Sequence, residues 1–161
     1  MKTLRIAVCI MLFATAVFAQ SDAQRSFDQL KSLAGSWEGK NSMGEPVQVT
    51  YRMTAGGSAL MSEIVGHGET MISMINFDGP NRLLLTHYCA VGNQPRMVAT
   101  ASPDGKIITF NFLDATNLEN PQSAHMDHVV IAMLDSNHHT EEWNFVDHGK
   151  WTKAVFDLTR K

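Results

Sequence analysis

Cysteine is almost missing from this chain: there are two, Cys9 and Cys89, and Cys9 falls inside an apolar N-terminal run. With that run removed, Cys89 stands alone and no internal disulfide can form, which excludes a disulfide-stapled scaffold. A lone thiol is then buried, reactive or engaged in an intermolecular bridge. Clustered positive charge is missing too. The formal charge is −3, and becomes −5 when Lys2 and Arg5 are removed, which argues against a nucleic-acid partner. No apolar run reaches the roughly 18–20 residues of a membrane-spanning helix. Internal repeats, low-complexity tracts and interdomain linkers are likewise absent from the sequence.

What is present begins with an export signal. Lys2 and Arg5 form a positive n-region, the thirteen residues Ile6 to Phe18 are almost continuously apolar, and Val17-Phe18-Ala19 offers small residues to a signal peptidase. Cleavage after Ala19 is expected, with a periplasmic or extracellular destination, no lipid anchor and no stable membrane anchor. About 140 residues then remain, enough for one domain with its own core.

Residues 20–25 read as a flexible polar leader. Ser26 is a good N-cap, and Phe27, Leu30 and Leu33 or Ala34 recur at helical spacing up to Gly35, so a helix of two to three turns is expected there. Every later segment has the period of strands. Ten are expected, near 36–41, 46–53, 59–65, 71–77, 82–90, 96–101, 106–113, 125–134, 140–146 and 151–159. Turn chemistry separates them, for example Asp78-Gly79-Pro80-Asn81, Gly92-Asn93 and Pro103-Asp104-Gly105. Such short connections join neighbours antiparallel. Ten strands in a meander leave two sticky edges unless they close, so an all-β, antiparallel up-and-down barrel over residues 26–161, preceded by a short helix, is the expected fold. A β-sandwich is the rival, and only Asp114 to Ala124 is long enough to be its crossover. That stretch is either a solvated connection or a lid over a barrel mouth.

The segment from Leu83 to Met97 carries polar groups into an apolar strand. Leu83, Leu85, His87 and Cys89 share one face, and Leu84, Thr86, Tyr88 and Ala90 the other. Whichever face is inward brings in a polar group, which must find a partner or meet a ligand. His87 with Cys89 could form half of a metal site or a nucleophile pair, though no orienting acid accompanies them. Other candidates set among apolar neighbours are Tyr51, Glu63, Asn111 and Trp143, the last flanked by Glu142 and Asn144. Glu63, if inward, would be a carboxylate in an apolar interior; outward, an ordinary surface group. His125 and His128 face opposite sides of a strand unless a bulge intervenes, so no shared metal is expected. His138-His139 reads as a solvated hairpin tip, and His67 between two glycines as exposed. Ile108, Phe110, Phe112, Val129, Ile131 and Met133 read as core.

Gly35-Ser36-Trp37 after the helix, with Arg160 ending the last strand, resembles the lipocalin and calycin arrangement. That resemblance implies that Trp37 fills the closed end of a barrel while Arg160 covers its ring. More of the chain is similar to uncharacterised exported bacterial lipocalin-like proteins: Leu33 to Gly39, Gly57 to Leu60, Thr86 to Met97, Asp114 to Leu118, and Asp157 to Arg160. This implies a fold and no activity. A more distant resemblance is to the nitrobindin family of haem-binding barrels, whose axial histidine lies on the last strand. Thr152 to Arg160 contains no histidine, so haem bound in that way is not expected.

The expectation is therefore an exported calycin-type barrel that holds a small, mostly apolar molecule without a cofactor, with His87, Tyr88, Cys89, Glu63, Tyr51, Asn111 and Trp143 as polar contacts. Two alternatives stand beside it: a cofactor-free isomerase or hydrolase using His87 or Glu63 as general base, and a filled barrel with a structural or partner-binding role.

Overall fold

Ser21, five residues before the expected cap, starts the helix: its hydroxyl accepts from the Gln24 amide at 3.2 Å. The computed structural model describes residues 20–66 and 68–161, so the expected signal segment 1–19 and His67 lie outside the described residues. Helix α1 spans Asp22–Lys31, with Asp22 in the first turn and Lys31 in the last, each placed where its charge complements the helix dipole. Part of the expected leader is thus helix. Ser26, expected as the cap, lies inside it on the buried face with Ala23, Phe27 and Leu30. That face packs against the ends of two strands, and the Phe27 ring meets Phe77 edge-on with centroids 5.0 Å apart.

The ten strands are β1 (Gly35–Asn41), β2 (Pro46–Thr54), β3 (Ala59–Gly66), β4 (Glu69–Phe77), β5 (Leu83–Tyr88), β6 (Gln94–Ala101), β7 (Ile107–Thr116), β8 (His125–Asp135), β9 (His138–Asp147) and β10 (Lys150–Arg160). Each pairs antiparallel with its sequence neighbours, and β1 also pairs with β10, so the sheet closes into an up-and-down barrel with no free edge. The sandwich alternative is thereby excluded.

Closure at the β1–β10 seam depends on Gly39. A Cβ there would sit 1.8 Å from the Asp157 carbonyl oxygen, so any other residue would push the two strands apart. At the same end of the chain Gly35 has φ +130, a conformation that favours glycine, and a Cβ on it would meet the Arg160 guanidinium at 2.9 Å. The Arg160 side chain donates to the carbonyl oxygens of Ser32, Ala34 and Ser136 and lies 4.2 Å over the Trp37 ring. Trp37 is buried and its indole N–H donates to Leu33 O at 2.7 Å. This corner ties helix, first strand and last strand together at one end of the barrel.

The core runs from the helix into the barrel. Leu60, Ile75, Leu85 and Met97 lie opposite one another on β3 to β6 and are sealed from solvent, as are Ile108, Phe110, Ile131 and Leu158. At the other end, where the connection after β7 is longest, the inward-facing Met71, Phe112 and Ala154 are only half-buried. That connection starts at residue 117 because β7 runs on to Thr116, and it is anchored: Asn93 Nδ2 donates to Ala124 O, Asn117 Nδ2 to Gly92 O, and the His148 amide to Gln122 O.

Candidate functional site

Strand register brings four inward polar side chains into one row. Tyr51 on β2 lies opposite Ser62 on β3, Ser62 opposite Ser73 on β4, and Ser73 opposite His87 on β5. All four are buried. Their neighbours along each strand, Val49, Ile64, Ile75 and Leu85, are apolar and buried, so the row is a polar layer between apolar ones.

Facing it is β9, whose inward residues are His139, Glu141 and Trp143, all buried. Three donors reach the Glu141 carboxyl group. Tyr51 OH donates to Oε1 at 2.6 Å across the barrel, Trp143 Nε1 donates to Oε2 at 2.8 Å, and His139 Nε2 lies 3.2 Å from Oε1. A buried carboxyl group demands such compensation, because an unpaired one would lose its hydration for nothing. Burial, followed by the neighbouring Glu141, holds the Tyr51 phenol well above its ordinary pKa, so it stays a hydrogen-bond donor. The Trp37 ring stands edge-on to His139 at 4.3 Å, linking the layer to the Arg160 corner.

The layer is not fully saturated: Ser62 Oγ, His139 Nδ1 and His87 Nε2 are each buried without a partner, and of these His87 stands farthest along the row from Tyr51. Its Nδ1 lies 2.9 Å from Ser73 Oγ and its ring is tilted against Trp143 at 5.0 Å, yet its Nε2 is buried with no hydrogen-bond partner. Burial lowers its pKa to about 4, so the imidazole is neutral at physiological pH. A buried, neutral, partnerless ring nitrogen is a group prepared to meet something polar that enters the barrel.

Of the residues singled out from sequence, His87, Tyr51 and Trp143 come together in this layer. Cys89 sits just past the end of β5, half-buried, its thiol pKa raised chiefly by burial, and its amide bonded to Asn93 O in the hairpin turn. Tyr88, Glu63 and Asn111 require correction, since their strand positions put them on the outer wall. Tyr88 is 46% exposed beside inward His87; Glu63 alternates with inward Ser62 and Ile64; Asn111 is exposed and its Oδ1 lies 3.1 Å from His128 Nδ1 on the outside. Glu63 is thereby removed as a general base for chemistry in the interior. A register shift between Met126 and His128 does interrupt β8, yet His125 stays inside, stacked near Phe112, while His128 faces out. Among the described residues no cluster of three or more His, Cys, Asp or Glu side chains could hold a metal ion.

Sequence reasoning missed His139, Glu141, Ser62 and Ser73. His139 had been read as part of a solvated hairpin tip, but β9 starts at His138 and the turn is only Ser136–Asn137. A usable signal was parity: Trp143 shares a face with Glu141 and His139. It was masked because the opposite face, His138, Thr140, Glu142 and Asn144, is equally polar.

Among the described residues the surface carries grooves at two places away from the polar layer. One of about 580 Å³ lies between α1 and the β6–β7 turn, and one of about 290 Å³ lies at the loop-end edges of β2 and β3. Neither is lined by a residue of the polar layer.

Among solved structures, the chain is similar to Rv2717c from M. tuberculosis, with 15% identity over 84% of this chain and 97% of that one and a TM-score of 0.58. It is also similar to a protein of unknown function from the DUF3598 family of Nostoc punctiforme, with 12% identity over 83% of this chain and a TM-score of 0.57. The match spans about half of that second protein, 49% of its length. At these identities the likeness is one of barrel fold alone. No protein-family model matches the sequence, and no curated protein matches it.

Proposed function

We propose that the protein is an exported, calycin-type binding barrel that takes a small, mostly apolar molecule through its loop end and orients it by hydrogen bonding to His87. The supporting observation is the partnerless Nε2 of a fully buried histidine. A barrel needed only as a scaffold gains nothing from it, because an apolar side chain of similar size would fill the place without the desolvation penalty. Apolar walls above and below the layer supply affinity by burial, and half-buried Met71, Phe112 and Ala154 mark the end from which a ligand descends. Methionines on the inward faces of the barrel, among them Met53, Met71, Met97 and Met133, suit an apolar guest of variable shape.

The filled barrel is the second reading, favoured by the complete burial of Leu60, Ile75, Leu85 and Phe110 and by the position of both grooves on the outer surface. Native mass spectrometry of protein purified from its own host separates the two. A retained small molecule, lost on mild activation, supports binding. A bare chain mass in every preparation, with no thermal stabilisation by apolar extracts of the host, supports the filled barrel.

A further inference from the structure

We propose that the molecule bound in the interior is uncharged and presents a hydrogen-bond acceptor, a ketone, aldehyde, ester or ether oxygen, to His87 Nε2, and that carboxylates and amines of the same skeleton are refused. This rests on the binding reading above and narrows its ligand class.

The first support is the proton position on His87. Ser73 Oγ has one partner, His87 Nδ1, at 2.9 Å. If the Ser73 hydroxyl donates to Nδ1, the ring proton is on Nε2, and one buried group, that N–H, lacks a partner. If instead Nδ1–H donates to Ser73, two groups are stranded, the serine hydroxyl hydrogen and the Nε2 lone pair. Each stranded polar group in an apolar interior is unfavourable, so the first arrangement prevails. His87 therefore offers a donor, and what completes it is an acceptor.

The second support is the charge inventory. Among the described residues the buried polar and charged side chains are Ser26, Asn41, Ser62, Ser73, His87, Asn93, His125, His139 and Glu141, with no lysine or arginine. Arg160, at the helix end, is committed to three carbonyl groups and the Trp37 ring. A carboxylate or phosphate entering the layer would shed its hydration and find no cation, and His87 is held neutral and cannot supply one. Among the described residues the one buried carboxyl group, Glu141, adds acceptor oxygens to the layer and no donor for an anion. An ammonium meets the converse obstacle: both Glu141 oxygens are already occupied by Tyr51, Trp143 and His139. A neutral acceptor faces neither cost.

The test uses four probes of one chain length, octan-2-one, octane, octanoate and octylamine, titrated at pH 7.5 into the full mature protein and into the His87→Leu variant, with binding read by calorimetry and thermal shift. The expected result is that octan-2-one binds at least tenfold more tightly than octane, octanoate and octylamine, and that His87→Leu erases its advantage over octane while leaving octane binding in place. Ketone and octanoate binding alike, or ketone and octane binding alike in the wild type, would overturn the ligand class and leave the binding reading standing. Failure of all four would overturn both. If His87→Leu does not fold, the same comparison is made by NMR of the wild-type ring: octan-2-one must shift the His87 Nε2–H resonance and octane must not, and an unmoved resonance on saturation would refute the contact.

Discussion

Tyr51 and Glu141 are ninety positions apart in the chain and 2.6 Å apart in space, the phenol on β2 donating across the barrel to the carboxyl group on β9. The bond spans the two strands, β1 and β10, that lie between β2 and β9 in a sheet whose strands otherwise pair only with their neighbours. The barrel's cross-section at this level is therefore fixed by a polar contact as well as by apolar packing.

Removing the centre of that contact strands its donors. Glu141→Leu leaves the Tyr51 hydroxyl and the Trp143 indole N–H buried without acceptors, and should destabilise the fold by about 3–5 kcal/mol. Tyr51→Phe, which removes one donor of three, should cost about 1–3 kcal/mol. The double variant should cost less than the sum, because the two side chains share one interaction. Urea unfolding followed by tryptophan fluorescence measures all three.

Arg160→Ala removes three hydrogen bonds to backbone carbonyls and the cation over Trp37, and should destabilise by about 2–4 kcal/mol. Arg160→Lys should recover little of that, since one ammonium cannot reach Ser32, Ala34 and Ser136 together while stacking on the indole. Recovery of wild-type stability by lysine would show that charge alone is what matters at this corner.

Stability should fall between pH 6.5 and pH 4 through His87. Its pKa is lowered to about 4 in the fold from an ordinary 6.5, so in this window the unfolded chain binds the proton and the folded chain does not. The contribution is complete above pH 6.5, declines as the pH drops, and is gone below pH 4, amounting to roughly 3 kcal/mol over the range. A comparison of unfolding free energies at pH 7, 5.5 and 4.5 should show a shallower slope in His87→Phe than in the wild type. Identical slopes would mean that His87 is protonated at little penalty, and so is not sealed from water.

Gly39→Ala should be among the most damaging single-methyl additions, because its Cβ would overlap the Asp157 carbonyl oxygen at the closing seam. A loss of about 3 kcal/mol or more, or failure to accumulate folded protein, is expected. Hydrogen exchange should rise first in β1 and β10. Wild-type stability in this variant would show that the seam is loose.

The barrel was legible in the sequence because its connections are short and rich in turn residues. With ten strands and hairpin spacing throughout, closure was the arrangement that left no edge. The helix start was missed by about one turn: Ser26 resembles a cap as much as Ser21 does, and what distinguishes them in the fold is the bond from the Gln24 amide to Ser21 and the burial of Ala23 and Ser26 on the packed face. The interior was half legible. On β5 leucines occupy both faces, so the sequence left His87 and Tyr88 as alternatives and the closed barrel decides for His87, whereas on β2 Val47 and Val49 mark the face that carries Tyr51. On β9 neither face is apolar, so only parity with Trp143 favoured Glu141 over Glu142, and their fates differ completely: the first is buried among donors, the second pairs with Lys153 on the outer wall. Register across four strands, which aligns Ser62 and Ser73 with His87, is a property of the closed sheet that no single strand declares.

The most direct measurement is a high-resolution crystal structure of the protein isolated from its own host and never exposed to denaturant. The account predicts density for a small organic molecule inside the barrel, with an oxygen about 3 Å from His87 Nε2. An interior packed solid by side chains, with Nε2 still facing no partner, would contradict it.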